Sequence, residues 1–200
     1  MASGHEERDP TYPLPMRLVL LSLSFLLVAL PAHADEALWS TLAKGGNLVL
    51  IRHGLTSPGV GDPPGYRLDD CASQRNLVEE GRAQARRVGA ALKARKVPVG
   101  DVRSSPWCRC IETARIIFGT APVVDEMLSN VFVEPGPRDA QVAAFRRLAA
   151  TKPAANVMLV THGATIAAFT GINPGTAEMV VVTPDGKGGF SVAGRMPVPP

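Results

Sequence analysis

Two eight-residue stretches of the chain match each other, and they constrain its fold more than any other feature. They are Asn-Leu-Val-Leu-Ile-Arg-His-Gly at residues 47–54 and Asn-Val-Met-Leu-Val-Thr-His-Gly at residues 156–163. Each contains a nearly continuous apolar run of strand length, which is typical of a strand covered on both faces. The sequence therefore predicts two central strands, with His53 and His162 at their carboxyl ends.

The segments around these two strands alternate between helix and strand patterns. Helices are predicted over residues 35–44, 77–95, 106–119 and 139–150 and after Gly163, with Asn76 and Ser105 as caps, and further strands over residues 97–103, 123–124, 178–183 and 190–195. Alternating elements of this kind predict an α/β fold, a three-layer sandwich with a mainly parallel central sheet. Ligands of such sheets bind beyond the carboxyl ends of the strands, where both histidines are expected.

A proline- and glycine-rich segment, residues 55–75, follows His53 directly and predicts a long surface loop. Long loops in compact domains are usually functional or disordered, so this one is expected to form a rim that faces substrate. Thr56, Ser57 and Arg75 could contact phosphate or substrate from the loop. Each is equally typical of a turn-forming or solvated residue.

The N-terminal 34 residues have the pattern of an export signal. Met16 and Arg17 precede an apolar run over residues 18–30, and Pro31-Ala32-His33-Ala34 follows it. This pattern predicts cleavage after Ala34, so that residues 35–200 form one periplasmic or secreted domain with no stable membrane insertion. An uncleaved membrane anchor is the alternative, and Met16 is a second candidate for the start of the chain.

The net charge indicates the class of ligand, and the cysteines could form a disulfide if the protein is exported. The formal net charge is +3, and no Lys/Arg block is interleaved with aromatic residues, so an anionic small molecule is a better fit than nucleic acid. Export would allow a disulfide among Cys71, Cys108 and Cys110. The spacing leaves open a bridge from Cys71 to either of the other two, and equally three free thiols.

Three motifs in order resemble the histidine phosphatase superfamily, which has the phosphoglycerate-mutase-like fold. They are Leu-Ile-Arg-His-Gly at residues 50–54, Ser-Ser-Pro-Trp-Cys-Arg at residues 104–109 with Glu-Thr-Ala at residues 112–114, and Val-Thr-His-Gly at residues 160–163. The resemblance covers about residues 47–195, and the export signal suggests an exported branch of this superfamily.

The resemblance implies a phosphatase that uses no cofactor or metal and acts on a small phosphorylated substrate. His53 is expected to attack phosphorus and form a phosphohistidine, which water then hydrolyses. Arg52, Arg109 and His162 are expected to bind the phosphate. The chemistry agrees, because a neutral imidazole is a competent nucleophile and guanidinium groups match phosphate oxygens. Some exported relatives act on phosphorylated sugars of the cell envelope, so a heptose phosphate of lipopolysaccharide is a candidate substrate here by analogy alone.

The general acid is the least defined residue. Many relatives carry a glutamate shortly after a leucine in the segment before the second histidine motif, but here Leu128 is followed by Ser129-Asn130. Glu134 is the first candidate for the acid, with Glu126 and Asp125 behind it.

Other functions compete with a phosphatase. The departure after Leu128 favours a non-catalytic envelope protein that binds a phosphorylated ligand. A zinc site built from the two histidines and the Cys-x-Cys pair has no supporting spacing. A mutase is disfavoured because export would remove it from glycolytic intermediates.

Overall fold

The structure is a computed structural model that describes Met1, residues 30–132 and residues 138–200. The chain divides into two units, Met1–Ala34 and Asp35–Pro200. Most of the first unit, including the predicted apolar run, lies outside the described residues, so the export signal and its cleavage stay a prediction. No helix within the described residues has the length and apolar character needed to cross a membrane.

The described residues form five α-helices and six β-strands. In chain order these are α1 (Leu30–Ala43), β1 (Leu48–Arg52), α2 (Glu79–Ala94), β2 (Val99–Ser104), α3 (Cys108–Phe118), β3 (Val123–Val124), α4 (Arg138–Ala149), β4 (Asn156–Thr161), α5 (Gly163–Thr170), β5 (Met179–Pro184) and β6 (Phe190–Met196). Short 3-10 helices at Cys71–Ser73 and Glu126–Leu128 lie between them. The predicted strands and helices are all present, with ends shifted by a few residues.

The six strands form one sheet in the order β3-β2-β4-β1-β5-β6. The first four are parallel to one another, and β5 and β6 form the predicted antiparallel hairpin. Helices cover both faces. Val49 and Ile51 pack against a core that includes side chains of α1, α2 and α3, whereas Leu48 and Leu50 pack against side chains of α4 and α5. The predicted α/β sandwich with a mainly parallel sheet is confirmed.

Strands β1 and β4 are neighbours, and their register aligns the two matched stretches residue for residue. Arg52 pairs with Thr161, so His53 and His162 follow side by side at the carboxyl edge of the sheet. The His53 backbone N–H donates to the Thr161 carbonyl at 2.9 Å. The two histidines are therefore brought together by strand pairing and not by a loop.

The asparagines that begin the two stretches bond to each other at the opposite edge of the sheet. Asn47 donates its side-chain N–H to Asn156 Oδ1 at 2.9 Å, and both side chains are buried. Asn156 also donates to the Leu42 and Pro98 carbonyls, at 2.7 and 2.9 Å. These bonds satisfy backbone groups where β1 and β4 begin, which explains why both apolar runs start with the same polar residue.

Both predicted helix caps are wrong, because each of the two side chains hydrogen-bonds to a group outside the helix that it was predicted to cap. Helix α2 begins after Val78 and α3 after Trp107, neither of which makes a side-chain capping bond. Asn76 donates instead to the Gln74 carbonyl within the long loop. Ser105 bonds to a ring nitrogen of His162. Helix α1 begins at Leu30, five residues before its predicted start.

A disulfide joins Cys71 in the long loop to Cys108, the first residue of α3. Cys110 is a buried free thiol. One of the pairings left open by the sequence is therefore formed, and it fastens the loop after His53 to the helix that carries Arg109. The bridge also occupies Cys108, so the Cys-x-Cys pair is not available as a pair of zinc ligands.

We expect removal of this disulfide to lower the free energy of unfolding by about 3 kcal/mol, because a bridge that spans 37 residues restricts the unfolded chain. The variant is Cys71→Ala with Cys108→Ala, measured by denaturant titration under oxidising conditions. Wild type after reduction should unfold at the same denaturant concentration as the variant. Equal stability of the variant and the oxidised wild type would contradict the expectation.

Candidate active site

His53 is held as a neutral imidazole with one fixed tautomer. The residue is 5% exposed, and its Nδ1 lies 2.8 Å from the Gly54 carbonyl oxygen. A carbonyl oxygen can only accept, so Nδ1 carries the proton and Nε2 keeps its lone pair. Burial is the main cause that lowers the pKa of His53 to about 3, and the positive charges of Arg109, Arg52 and Arg75 lower it further. Nε2 of His53 is therefore unprotonated at neutral pH, which is the state that a nucleophilic imidazole requires.

His162 is the second buried histidine of the site. Its ring centroid lies 5.4 Å from that of His53 in an edge-to-face arrangement, and it is 3% exposed. Its Nε2 lies 2.8 Å from Ser105 Oγ and 3.6 Å from Cys110 Sγ. Burial and then the neighbouring His53 hold the pKa of His162 well below its ordinary value. Burial also raises the pKa of Cys110 to about 12, so its thiol stays protonated and is no competing nucleophile.

The buried neutral state of His53 predicts a specific pH dependence of stability. Its pKa is about 3 in the folded protein and about 6.5 in an unfolded chain, so below pH 6.5 the unfolded state binds a proton that the folded state does not. Stability is therefore lost as the pH falls from about 6.5 towards 3. Between pH 6 and 5 the unfolding free energy should fall for both wild type and His53→Asn. We expect the fall for wild type to be larger than that for the variant by about 1 kcal/mol per pH unit. Equal slopes, measured by urea titration at each pH, would contradict this assignment.

Three arginines line the cleft at the carboxyl edge of the sheet. The cleft has a volume of about 300 Å³ and contains Arg52, His53, Arg75, Arg109 and His162. Val60, Asn130, Phe132 and Asn173 also line it. Burial lowers the pKa of Arg52, and burial followed by the charge of Arg109 lowers that of Arg75. These positive charges are close enough to oppose one another, and a bound anion would relieve that repulsion.

The three arginines share a feature that points to a ligand. Among the described residues four buried side-chain polar atoms have no hydrogen-bond partner, and three of them are the Nε atoms of Arg52, Arg75 and Arg109. A buried donor without a partner costs about 1–3 kcal/mol, so such atoms in a native protein call for an explanation. A phosphoryl group offers three oxygens to the three arginines of one cleft. The arrangement is suited to binding an anion.

Two of the sequence motifs are joined directly through Thr113. The Gly54 N–H donates to Thr113 Oγ1 at 3.1 Å, and the Thr113 hydroxyl donates to the Arg109 carbonyl at 2.7 Å. A Cβ at Gly54 would lie 2.4 Å from the Gly81 carbonyl oxygen, so the glycine is needed where α2 packs against the turn after His53. The loop end of β1, the start of α2 and the first turns of α3 thus form one packed unit around His53.

The model of the histidine phosphatase superfamily (branch 1) matches residues 48–132, from the start of β1 to Phe132. Over these residues the chain is similar to this superfamily. No curated protein matches it. The match contains His53, Arg52, Arg75 and Arg109, and the second histidine motif lies beyond it.

Several solved structures are similar to this chain. The protein histidine phosphatase SixA, complexed with tungstate, is 20% identical with a TM-score of 0.53, and the match covers 76% of this chain and 96% of that one. An Entamoeba histolytica phosphoserine phosphatase in complex with 3-phosphoglyceric acid is 17% identical with a TM-score of 0.53, and the match covers 75% of this chain and 96% of that one. A mycobacterial glucosyl-3-phosphoglycerate phosphatase in complex with VO3 is 24% identical with a TM-score of 0.50, and the match covers 68% of this chain and 92% of that one. At these identities the likeness establishes the phosphoglycerate-mutase-like fold.

Four of the five site residues predicted from the sequence meet in the cleft: Arg52, His53, Arg109 and His162. Glu134, the predicted acid, lies outside the described residues. Of its two alternatives, Asp125 bonds to Arg103 and Glu126 accepts from Ser129. Neither lines the cleft, and no described carboxylate does. Asp125 and Glu126 are therefore poor candidates for the general acid, because each bonds to another residue and lies outside the cleft.

Arg75 and Asp62 are the functional residues that the sequence left undefined. The sequence offers Arg75 as one of three possible phosphate contacts of the long loop but does not distinguish it from a solvated residue. In the structure Arg75 lines the cleft. Asp62 carried no signal beyond being acidic in a stretch of glycine and proline. Its side chain has no exposed surface, and its carboxylate lies 2.7 Å from Arg109 Nη1. Only the folded loop brings either residue to the site.

Proposed function

We propose that this protein is an exported phosphomonoesterase that acts through a phosphohistidine on His53. The observation that carries the proposal is the state of His53: a neutral ring with Nδ1 bonded to the Gly54 carbonyl, so that Nε2 is unprotonated, in a cleft lined by three arginines. A nucleophilic nitrogen beside an anion site is what phosphoryl transfer requires.

The reaction follows from this arrangement. Arg52, Arg75 and Arg109 hold the phosphoryl oxygens, and the Nε2 lone pair of His53 forms a bond to phosphorus as the bond from phosphorus to the ester oxygen breaks. The leaving alcohol takes up a proton from a general acid. Water then gives a proton back to that group as its oxygen bonds to phosphorus, the P–N bond breaks with its electron pair returning to Nε2, and inorganic phosphate leaves with His53 and the acid restored. The guanidinium groups stabilise the charge that spreads over the equatorial oxygens in both steps.

Glu134 remains the proposed acid. Phe132, which precedes it by two residues in the sequence, lines the cleft together with Asn130. Removal of the carboxyl proton donor in Glu134→Gln should slow a substrate with a poor leaving group, such as an alkyl phosphate, far more than an aryl phosphate, whose leaving group needs little protonation. Equal effects on both substrates would exclude Glu134 as the acid.

The substrate is proposed to be a sugar phosphate of the cell envelope. Two side-chain amides, of Asn130 and Asn173, and the exposed ring of Phe132 line the cleft together with the arginines, and such groups can contact hydroxyls and a sugar face. The solved phosphatases with the same fold include one named for a glucosyl-3-phosphoglycerate. Export rests on the N-terminal signal pattern alone.

A non-catalytic phosphate-binding protein is the second candidate, and the lack of a carboxylate among the described residues of the cleft favours it. A substrate panel separates the two. The purified full chain is incubated with para-nitrophenyl phosphate and with a set of sugar phosphates, with and without a chelator, and released phosphate is measured. The phosphomonoesterase releases phosphate at the same rate in chelator. Binding of inorganic phosphate without any turnover would establish the second candidate.

A further inference from the structure

The ion pair between Asp62 and Arg109 is the most completely buried charged contact of the described residues. The side chain of Asp62 has no exposed surface and that of Arg109 has 1%. Asp62 Oδ1 lies 2.7 Å from Arg109 Nη1, and Oδ2 lies 3.2 Å from Nη2. The carboxylate thus takes the end of the guanidinium fork, in the place that an anionic ligand could also take.

The Asp62 carboxylate is held in position by further hydrogen bonds. Its Oδ2 also accepts from the Trp107 indole N–H at 3.0 Å, and its Oδ1 accepts from the Arg75 backbone N–H at 2.9 Å. Displacement by a substrate phosphate would leave both of these donors without a partner. The Cys71–Cys108 disulfide fastens the same loop next to Trp107. The carboxylate therefore stays in place when substrate binds.

The bonds to Asp62 occupy one edge of the Arg109 guanidinium and leave its Nε atom without a partner. A guanidinium has five N–H groups, and its two bidentate edges are the end, Nη1 with Nη2, and the side, Nε with Nη2. Asp62 occupies the end. The side contains Nε, one of the three buried donors without a partner. Rotation of the guanidinium would break the bonds to Asp62, so the carboxylate fixes which edge is presented.

We infer that Asp62 is a positioning residue for phosphoryl transfer, which holds Arg109 so that its Nε edge stabilises the transition state. The inference rests on the proposed function and adds a residue to it. Because Asp62 acts through Arg109, its contribution should vanish when Arg109 is absent. Because it is an anion beside the cleft, its loss should not weaken binding of a phosphate dianion in the ground state. These two consequences separate positioning from a general role in folding.

The test compares Asp62→Asn with wild type, using para-nitrophenyl phosphate. We expect kcat to fall about 30-fold without a rise in KM, since only interactions that strengthen in the transition state are lost. Orthovanadate, which imitates the transition state, should bind less tightly by a similar factor, whereas the affinity for inorganic phosphate should not fall. The matched control is Asp69→Asn, an exposed carboxylate of the same loop that pairs with Arg67, and its kinetics should equal those of wild type.

Asp62→Asn is also made in an Arg109→Ala background, and this comparison decides whether Asp62 acts through Arg109. Asp62→Asn should then change kcat less than two-fold. An equal loss in both backgrounds, or a KM that rises in parallel, would overturn the inference and leave Asp62 as a folding residue. A gain of kcat/KM in Asp62→Asn would show that the carboxylate competes with substrate, and would also overturn it.

The outcome is independent of whether the wild type turns over. If the wild type does not hydrolyse any ester, the proposed function fails, and the affinities of wild type, Asp62→Asn, Arg109→Ala and the double variant for orthovanadate and phosphate still decide the inference. If the wild type is active and the affinities do not change with Asp62→Asn, the inference fails alone. Circular dichroism and the melting temperature show whether each variant folds. If Asp62→Asn does not fold, Asp62→Glu replaces it, because this substitution keeps the negative charge and moves the carboxylate.

Discussion

His53→Ala should lower kcat for para-nitrophenyl phosphate by about 10⁴-fold or more, the largest effect of any single substitution in this protein. Among the described residues, His53 is the group proposed to form a covalent bond to phosphorus, and what remains in the variant is the charge stabilisation of the arginines. Its neighbour His162 cannot replace it, because Nε2 of His162 is engaged by Ser105 at 2.8 Å. Loss of the nucleophile therefore leaves a phosphate-binding cleft with little turnover.

Chemical rescue distinguishes loss of the nucleophile from damage to the site. Alanine at this buried position leaves a cavity in which free imidazole can stand at the place of the ring, so added imidazole should restore part of the turnover and form a phosphoimidazole. His53→Gln, which fills the same space, should not be rescued. Turnover of His53→Ala near the wild-type rate without imidazole would exclude His53 as the nucleophile.

Arg109→Ala should have the second largest effect, and it should act on both activity and stability. We expect kcat/KM to fall about 10³-fold, because the arginine supplies charge and two donors to the developing transition state. We also expect a loss of about 3–5 kcal/mol of unfolding free energy, since the substitution leaves the fully buried Asp62 carboxylate without its charge partner.

Two further variants separate these effects. Arg109→Ala with Asp62→Asn should regain part of the lost stability, because no unpaired charge is then buried, but none of the activity. Arg115→Ala, an exposed arginine of the same helix, should retain wild-type activity and stability. A kcat/KM for Arg109→Ala within a factor of ten of wild type would contradict the placement of Arg109 in the phosphate site.

The sequence predicts the catalytic edge of the sheet well because strand pairing creates it. Once residues 47–54 and 156–163 are buried parallel strands, their carboxyl ends share one edge, and the register then sets His53 beside His162. The arginines follow from the same logic, since Arg52 ends β1 and Arg109 lies in the first turn of α3. Local pattern and global fold agree here.

What the sequence does not predict are the contacts that the long loop makes after it folds. Asp62, Arg75 and the Cys71–Cys108 bridge all depend on the path of residues 55–75, which contain no periodic pattern. The wrong caps have the same origin. Ser105 has the residue type of a helix cap, but a buried histidine nitrogen offers it a partner that a local pattern cannot show.

The central claim is that phosphorus is bonded to His53 during turnover, and a quenched-flow experiment with phosphorus-labelled substrate tests it most directly. Protein mixed with excess substrate is quenched in alkali within the first turnover, and the labelled peptide is identified by mass spectrometry. The account predicts a phosphoryl group on His53 that survives alkali, is lost in acid, decays no more slowly than turnover and is absent in His53→Ala. Turnover by wild type with no trapped phosphoenzyme, or with the label on any other residue, would contradict it.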